Sequence, residues 1–197
     1  SEAAVHAKSL RDTVYHLTYL ADAIDADDVQ LFREYVAWVK VLFANLRFSD
    51  DVLNETLACT IHVLRNELSE NERLTAERFL EAAVDEVKHA PTSLSSFLVG
   101  DDPLDQLARE YLSALLRADR YSASTMILDA VQKGVPVQSI YLDVFQRTQR
   151  EIGRLWQTNQ ISVAQEHFCT AATQMVMSQL YPYIFTNERK DRRVVVA

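Results

Sequence analysis

The scarcity of glycine and proline most restricts what this chain can fold into. The sequence has three glycines and four prolines in 197 residues. Tight turns between short strands depend on these two residue types, so an all-β fold is disfavoured. Apolar residues recur at spacings of three and four, the period of an amphipathic helix. The sequence therefore predicts an all-α fold, and a hydrophobic content of 48% can supply a sizeable core.

The first half of the chain contains four apolar stripes with helical spacing. Asp27 or Asp28 can cap the second helix, Ser49 the third, and Ser69 opens a Ser-x-x-Glu capping box for the fourth. The stripes are Leu10, Val14, Leu17, Leu20 and Ile24; Phe32, Val36, Val39, Phe43 and Leu46; Leu53, Leu57, Ile61, Leu64 and Leu68; and Leu80, Ala83, Val84 and Val87. We expect an acidic N-terminal helical domain over residues 1–98, in which the first two helices form an antiparallel hairpin.

A Ser-, Gly- and Asp-rich stretch at residues 91–103 marks the best candidate boundary. Asp102 followed by Pro103 is a typical helix start, and it opens a second helical series. The pattern predicts helices from 103 through 115, from about 121 to 134, over 137–156, and from a Ser162 cap to about Phe185. We therefore expect a four-helix bundle over residues 103–187.

The last residues have a different character. A polar linker leads to a basic pair and then to Val194, Val195 and Val196, the β-branched composition with which a buried parallel strand begins. A lone strand of this kind has no sheet to join. We therefore expect residues 188–197 to be a linker and the first strand of a truncated α/β domain, and the chain to be a fragment of a longer protein.

The charge is concentrated in one half of the chain. Residues 1–100 carry nine Lys and Arg against seventeen Asp and Glu, whereas residues 101–197 carry eleven of each. An acidic surface repels phosphates, so we expect no direct binding to nucleic acid. No apolar run approaches the roughly 18 residues of a membrane span, and residues 1–9 lack the apolar core of a secretory signal. The sequence thus predicts a cytoplasmic protein that does not associate with membranes.

The most informative local pattern for function is a tryptophan followed, ten residues later, by an adjacent Glu and His. Trp156 ends one predicted helix, while Glu166 and His167 lie in the first turn of the next. A helix break between them allows the indole and the carboxylate–imidazole pair to converge on one pocket. The spacing predicts a pocket for a large flat ligand.

These residues carry a resemblance to a known family. The run IYLDVFQRTQREIGRLWQTNQISVAQEHFCTAATQMVMSQLYPYIF, residues 140–185, resembles the helical module that precedes a Rossmann-like cobalamin-binding domain in bacterial B12-dependent light-responsive regulators. It is more distantly similar to the helical cap of cobalamin-dependent methionine synthase. The similarity extends over about residues 104–187. It implies that cobalamin, as adenosylcobalamin or methylcobalamin, is the cofactor.

The resemblance also implies roles for individual residues. Trp156 would lie over the upper axial face of the corrin and shield the cobalt–carbon bond, and Glu166 and His167 would lie beside the alkyl ligand. An indole can exclude water and a carboxylate can accept hydrogen bonds from hydroxyl groups, so these roles are chemically reasonable. Further walls of the site would be Val163, Phe168 and Met175.

Three features depart from the light-responsive repressors. The residue after Trp156 is Gln157, whereas the repressors have a histidine that is thought to take cobalt after loss of the adenosyl group. Residues 1–98 replace an N-terminal winged helix. The Asp-x-His-x-x-Gly motif that supplies the lower axial histidine does not occur before Ala197. We therefore expect cobalamin to bind only when the missing domain is present.

Metal-site alternatives in the sequence are weaker. Glu86 and His89 form one Glu-x-x-His, but a di-iron site needs two copies and additional glutamates. Cys59 and His62 could be zinc ligands, but there is no second pair at a suitable spacing. The pattern favours no metal site in these residues. Cys59 and Cys169 lie far apart on apolar helical segments, which is typical of reduced, buried thiols.

The sequence leaves three functions open, none of them an enzyme in these residues alone. No nucleophile–base arrangement or glycine-rich phosphate loop is present. The first hypothesis is a cobalamin-binding sensory or regulatory protein in which the second bundle caps the corrin and the first transmits the signal. The alternatives are the cap of a corrinoid methyl-shuttle protein and a purely structural helical dimerisation scaffold. A homo-oligomer or protein partner through the N-terminal helices is expected from the broad apolar face of the second helix, formed by Leu31, Phe32, Tyr35, Val36, Trp38, Val39, Leu42 and Phe43.

Overall fold

The protein is all-α, as the sequence predicts. A computed structural model describes residues 2–184 and 193, and no strand is present in this part of the chain. The helices are α1 (Glu2–Asp25), α2 (Val29–Asn45), α3 (Asp50–Glu67), α4 (Glu70–His89), α5 (Pro103–Leu116), α6 (Arg120–Gln132), α7 (Val137–Ser139), a π-helical stretch (Ile140–Phe145), α8 (Gln146–Gln157), α9 (Val163–Gln179) and α10 (Tyr181–Ile184).

The chain divides into two compact units between Leu94 and Ser95. Unit 1 comprises Ser1–Leu94 and unit 2 comprises Ser95–Ala197. The division falls within the Ser-rich stretch 91–103. The assignment of functional domains, including the strand expected in residues 188–197, stays a prediction, because that strand lies outside the described residues.

Unit 1 is a bundle centred on α2 and α4, with α1 and α3 each packed against both. Each helix contributes one apolar face to a common core, as the spacing of three and four predicts. The buried core residues are Leu20, Ala23, Phe32, Val36, Val39, Leu53, Leu57, Phe79, Leu80, Ala83 and Val87. The ammonium group of Lys40 on α2 donates hydrogen bonds to the carbonyls of Val87 and Ala90, at 2.6 Å each, and so satisfies the C-terminal end of α4.

The stripe predicted for α1 is only partly buried. Leu20 is in the core, but Leu10, Val14 and Leu17 are 61%, 53% and 39% exposed. The lengths of the helices explain the difference. At about 1.5 Å per residue, α1 extends for roughly 36 Å and α2 for roughly 25 Å, so the N-terminal part of α1 runs beyond the partner to which it is joined.

The expectation of two buried thiols is wrong for Cys59. This residue is exposed on α3, whereas Cys169 is buried in unit 2. Leu53 and Leu57 define the core-facing side of α3, and Cys59 lies two residues further, about 200° around the helix. Burial raises the pKa of the Cys169 thiol.

Most of the predicted helix starts are present with their side-chain caps. Asp28 accepts a hydrogen bond from the backbone N–H of Gln30 at 2.9 Å. Glu72 accepts the backbone N–H of Ser69 at 3.0 Å, and hydrogen bonds from Ser69 lower the pKa of Glu72. Ser49 occupies the N-cap position of α3 without a side-chain hydrogen bond to the helix.

Unit 2 is the expected four-helix bundle, formed by α5, α6, the π stretch with α8, and α9. Its core consists of Leu98, Ala108, Tyr111, Ala114, Leu115, Ala123, Ile127, Ile140, Val144, Phe145, Ile152, Cys169, Ala172, Val176 and Leu180. The π turn lies inside the helix predicted over 137–156. It changes the phase of the helix, and Ile140, Val144 and Phe145 are all buried there.

An ion pair and several hydrogen bonds hold residues 97–99, which precede α5, against the helices of unit 2. Arg147 pairs with the buried Asp105 and donates to the carbonyls of Phe97 and Val99. Hydrogen bonding from Arg147 is the main reason that the pKa of Asp105 lies below its usual value. The buried Glu151 accepts the backbone N–H of Phe97 at 2.8 Å. Residues 97–99 are therefore fixed to α5 and α8.

The last helix is shorter than predicted. Helix α9 ends at Gln179, and the four-residue α10 follows from Tyr181 to Ile184. Pro182 has no backbone N–H to donate to the carbonyl of Ser178, which explains why the hydrogen bonds of α9 do not continue through it. Phe185, where the helix was expected to end, lies outside the described residues.

Candidate functional site

The helix that carries Trp156 ends in a defined stop. Asn159 has a left-handed conformation, with φ of 55°. Its N–H donates to the carbonyl of Trp156 at 2.9 Å, and the N–H of Gln160 donates to the carbonyl of Leu155 at 2.8 Å. This pair of bonds is a Schellman motif, and asparagine tolerates its left-handed residue better than most side chains. The stop confirms the predicted break and turns the chain back into α9.

The next helix starts with a complete capping box. The Ser162 hydroxyl accepts the N–H of Gln165 at 3.3 Å, and the Gln165 side chain accepts the N–H of Ser162 at 2.9 Å. This cap places Glu166 in the first turn of α9, where the helix dipole favours a negative charge.

Glu166 and His167 form a pair, as their adjacency suggests. The Nδ1 atom of His167 contacts Oε2 of Glu166. The Thr170 hydroxyl lies 3.2 Å from Oε1 of the same carboxylate. The side chain of Glu166 is 27% exposed and that of His167 is 76% exposed. The carboxylate is thus anchored to its own helix, while the imidazole is open to solvent.

A chain of polar groups continues from this pair into the bundle. The Thr170 hydroxyl is 3.1 Å from Oε1 of Gln149 on α8, and Nε2 of Gln149 donates to the Thr173 hydroxyl at 2.8 Å. The hydroxyl of the buried Tyr111 also donates to Thr173, at 3.0 Å. Burial raises the pKa of Tyr111 to about 12, so it remains protonated at physiological pH. We refer to Glu166, Thr170, Gln149, Thr173 and Tyr111 as the polar seam.

The other predicted site residues occupy different positions. Trp156 is half-buried at the end of α8, and Val163 is 51% exposed at the start of α9. The ring of Phe168 packs against the core and lies 5.8 Å from the Arg120 guanidinium of α6. Met175 is two turns further along the same side of α9. Phe168 and Met175 therefore lie on the α6 side of α9, and Glu166 lies on its α8 side.

Sequence reasoning missed Gln149, Thr170 and Thr173. A usable signal is present: Glu166, Thr170 and Thr173 recur at i, i+4 and i+7, which places three polar residues on the side of α9 that faces α8. Gln157, the residue that departs from the light-responsive repressors, is 5% exposed.

The residues considered as metal ligands have other contacts. Glu86 pairs with Arg33 at 3.0 Å, and Nδ1 of His89 lies 3.0 Å from the backbone carbonyl of Asp85. In the part of the chain that the structure describes, no group of three or more His, Cys, Asp or Glu side chains is arranged to hold a metal ion.

Two cavities lie within unit 1 and include no predicted site residue. One has a volume of about 240 Å³ and is lined by Lys40, Phe43, Ala44, Phe48, Ser49, Leu53, Asn54, Val87 and Lys88. The other has about 10 Å³, room for one water molecule, and lies beside His16 and Tyr35. Among residues 2–184 and 193, no helix is long and apolar enough to cross a bilayer.

Comparison with known proteins supports cobalamin binding, which the first two of the three functions considered share. Residues 107–181 match a family model described as a B12 binding domain. The matched segment runs from α5 to the start of α10 and contains Trp156, Glu166 and the whole polar seam. This segment of unit 2 is therefore similar to a helical cobalamin-binding module. No curated protein and no solved structure gives a significant match to the chain.

Proposed function

We propose that unit 2 caps the upper axial face of a cobalamin held by a further cobalamin-binding domain, in a sensory or regulatory protein. The observation that carries the proposal is the Glu166–His167 pair at the start of α9, immediately after the helix stop that follows Trp156, within the segment that matches the B12 model. The acidic unit 1 transmits the change in the cap to a protein partner or a second copy of the chain.

The residues present fit a cobalamin cap. Trp156 is half-buried at a helix end, and its indole is large and apolar enough to keep water from a reactive bond. Glu166 has about four lone-pair sites on its carboxylate, of which His167 and Thr170 occupy two, so it can still accept hydrogen bonds from a ligand. Adenosylcobalamin or methylcobalamin, when bound, supplies a cobalt–carbon bond that light or a reaction partner can break.

The chain's own residues then have separate tasks. Trp156 covers the alkyl ligand and excludes solvent. Glu166 orients the ligand through hydrogen bonds and holds the proton on Nδ1 of His167, which leaves Nε2 of the exposed imidazole without a proton when the ring is neutral. Val163 is exposed beside them as an apolar wall. Phe168 supports α9 from the α6 side.

A methyl-shuttle cap is the second candidate. It would use the same Trp156 and Glu166 positions to protect methylcobalamin and would move aside for transfer. The two functions differ in their response to light and to a methyl acceptor. A structural scaffold, the third candidate, requires no cobalamin at all.

The first experiment is a visible absorption spectrum of the full-length protein. The protein is incubated with adenosylcobalamin or methylcobalamin in the dark, passed through gel filtration, and measured again after green illumination. Co-eluting corrin absorbance that changes with light, together with a changed elution volume, supports a sensor. Bound cobalamin that ignores light favours the methyl shuttle. If neither adenosylcobalamin nor methylcobalamin co-elutes with the protein, the cap hypothesis is wrong.

The two tryptophans provide a matched pair of variants, one in each unit. Trp156→Ala should weaken retention of the alkylcobalamin by roughly tenfold, equivalent to about 1.4 kcal/mol, because water gains access to the upper face. Trp38→Ala removes the same surface from unit 1 and should leave cobalamin retention unchanged. Equal retention by both variants would contradict the role of Trp156.

A further inference from the structure

Packing within this chain does not require a glycine at position 153 of α8. It lies in the helix interior, four residues after Gln149 and three before Trp156, and therefore on the same side as both. Glycine inside a helix is less stable than alanine. Among the described residues, no atom outside the adjacent residues and the backbone of the same helix lies within 4 Å of a Cβ placed at Gly153, so close packing within the chain does not explain the missing side chain.

The helix register places this open space beside Glu166. Helices α8 and α9 are consecutive, joined by a short turn, and in contact, so they run antiparallel. Gln149 bonds to Thr170 and Thr173. One turn closer to the connecting loop, Gly153 on α8 is therefore level with Glu166 and His167 on α9. The gap above Gly153 adjoins the carboxylate that the proposed cap uses.

Thr170 is the link between that carboxylate and the rest of the bundle. Its hydroxyl has one hydrogen and lies near two acceptors, Oε1 of Glu166 at 3.2 Å and Oε1 of Gln149 at 3.1 Å. Gln149 is fixed from its other end by Thr173. Thr170 can hold Glu166 toward α8 by donating to it, or give that hydrogen to Gln149 when the carboxylate turns to another donor.

We propose that Gly153 and Thr170 complete the cap site as positioning residues. Gly153 leaves space between α8 and α9 for a hydrogen-bond-donating group on the upper ligand. Thr170 holds the Glu166 carboxylate at the edge of that space. This inference rests on the proposed function, because it takes the ligand to be cobalamin. It adds a size limit at Gly153 and a hydroxyl requirement at Thr170.

Gly153→Ala tests the size limit with two readouts that should move in opposite directions. The melting temperature of the ligand-free protein should rise by roughly 2 °C, because alanine favours the helix and meets no atom there. The affinity for adenosylcobalamin, titrated by its visible absorbance, should fall about tenfold. Asp129→Ala, at an exposed position on α6, is the control and should leave the affinity unchanged. Unchanged affinity in Gly153→Ala, or a loss of folding, overturns the proposal for Gly153.

Thr170→Val tests the hydroxyl requirement, because valine has nearly the same shape and no hydrogen to donate. Its affinity for adenosylcobalamin should fall several-fold, and Thr170→Ser should restore it. Thr125→Val, at an exposed position on α6, is the matched control. Equal affinities for the two valine variants would overturn the role of Thr170.

The failure of this inference is distinguishable from the failure of the proposed function. If the unaltered protein retains no cobalamin, the proposed function fails and this inference fails with it. If the unaltered protein, Gly153→Ala and Thr170→Val all bind adenosylcobalamin equally well, the proposed cap stands and only this inference is wrong.

Discussion

At the scale of single residues, Gly100 is the position where only glycine fits. Its φ is +116°, a conformation that other residues rarely adopt. A Cβ there would lie 2.0 Å from Oδ2 of Asp105. Asp105 is buried, accepts the backbone N–H of Asp102 at 3.2 Å and pairs with Arg147. The glycine thus allows the backbone to approach the carboxylate that organises the start of unit 2.

Gly100→Ala should therefore destabilise unit 2 by about 2 kcal/mol, since backbone strain and displacement of Asp105 both contribute. Urea unfolding followed by Trp156 fluorescence, in a Trp38→Phe background, reports on unit 2 alone. Gly134→Ala is the control: its φ is +95° but no described atom lies within 4 Å of the added Cβ, so only about 1 kcal/mol should be lost. Equal losses for the two variants would show that Asp105 moves aside freely.

The sequence predicted the site residues next to helix termini better than the site residues that contact each other between helices. Glu166 and His167 are neighbours in the chain, and Ser162 predicts the helix start that holds them, so their pairing followed from local pattern. Thr170 and Gln149 were missed because their contact crosses between two helices and depends on the helix register. Phe168 lies on the α6 side of α9, about 200° around the helix from Glu166, which adjacency in the sequence does not reveal.

At the scale of elements, helices α5 and α6 end in the same way as α8, with a residue in the left-handed conformation, but that residue differs. Ala118 follows the C-cap of α5 with a φ of 60°, and its N–H donates to the Leu115 carbonyl at 2.9 Å. Gly134 has the same position after α6, and its N–H donates to the Val131 carbonyl at 3.0 Å. Both are Schellman stops, but alanine in the left-handed conformation is strained and glycine is not.

Ala118→Gly should stabilise unit 2 by about 0.5–1 kcal/mol. The substitution removes the backbone strain, and this gain exceeds the loss from the greater conformational entropy of glycine in the unfolded chain. The shift in the urea midpoint of Trp156 fluorescence measures it. Ala171→Gly, at an exposed position inside α9, is the matched control and should lose about 1 kcal/mol. A destabilised Ala118→Gly would contradict the left-handed conformation at this helix end.

The elements themselves were largely predictable because the signals that start a helix are local. Asp28, Asp102 and Ser162 cap the helices that they were expected to cap. The π stretch Ile140–Phe145 was not predicted, since one extra residue in a turn leaves the apolar spacing almost unchanged. The exposure of Leu10 was also not predicted, because periodicity identifies an apolar face but not the length of the partner helix.

At the scale of the whole molecule, the two units depend on different titratable groups. In unit 1, Nδ1 of His16 lies 2.7 Å from the Tyr35 hydroxyl, and burial lowers the pKa of His16 despite the nearby Asp12. In unit 2, burial opposes ionisation of Glu151, but hydrogen bonds from Arg154 and from the Phe97 N–H outweigh it, so the pKa of Glu151 is lowered. The pKa of Asp105 is lowered as well.

These shifts predict that acid weakens the two units in different pH ranges. A histidine with a lowered folded-state pKa favours the fold while it is neutral, so unit 1 should begin to lose stability as the pH falls through about 6.5, the ordinary value for histidine. Carboxylates with lowered pKa values favour the fold while they are ionised. Unit 2 should therefore keep that stability until the pH falls below about 4, the ordinary range of Asp and Glu.

Urea midpoints measured from pH 7 to pH 3 test this difference, with Trp156→Phe leaving Trp38 to report on unit 1 and Trp38→Phe leaving Trp156 to report on unit 2. His16→Gln should flatten the profile of unit 1 above pH 5 and leave unit 2 unchanged. Asp105→Asn should flatten the profile of unit 2 below pH 4 at the cost of a lower midpoint at pH 7, because the amide pairs less strongly with Arg147. If both tryptophans report the same profile and neither variant alters it, these groups do not control the acid response, and charge elsewhere in the acidic first half must do so.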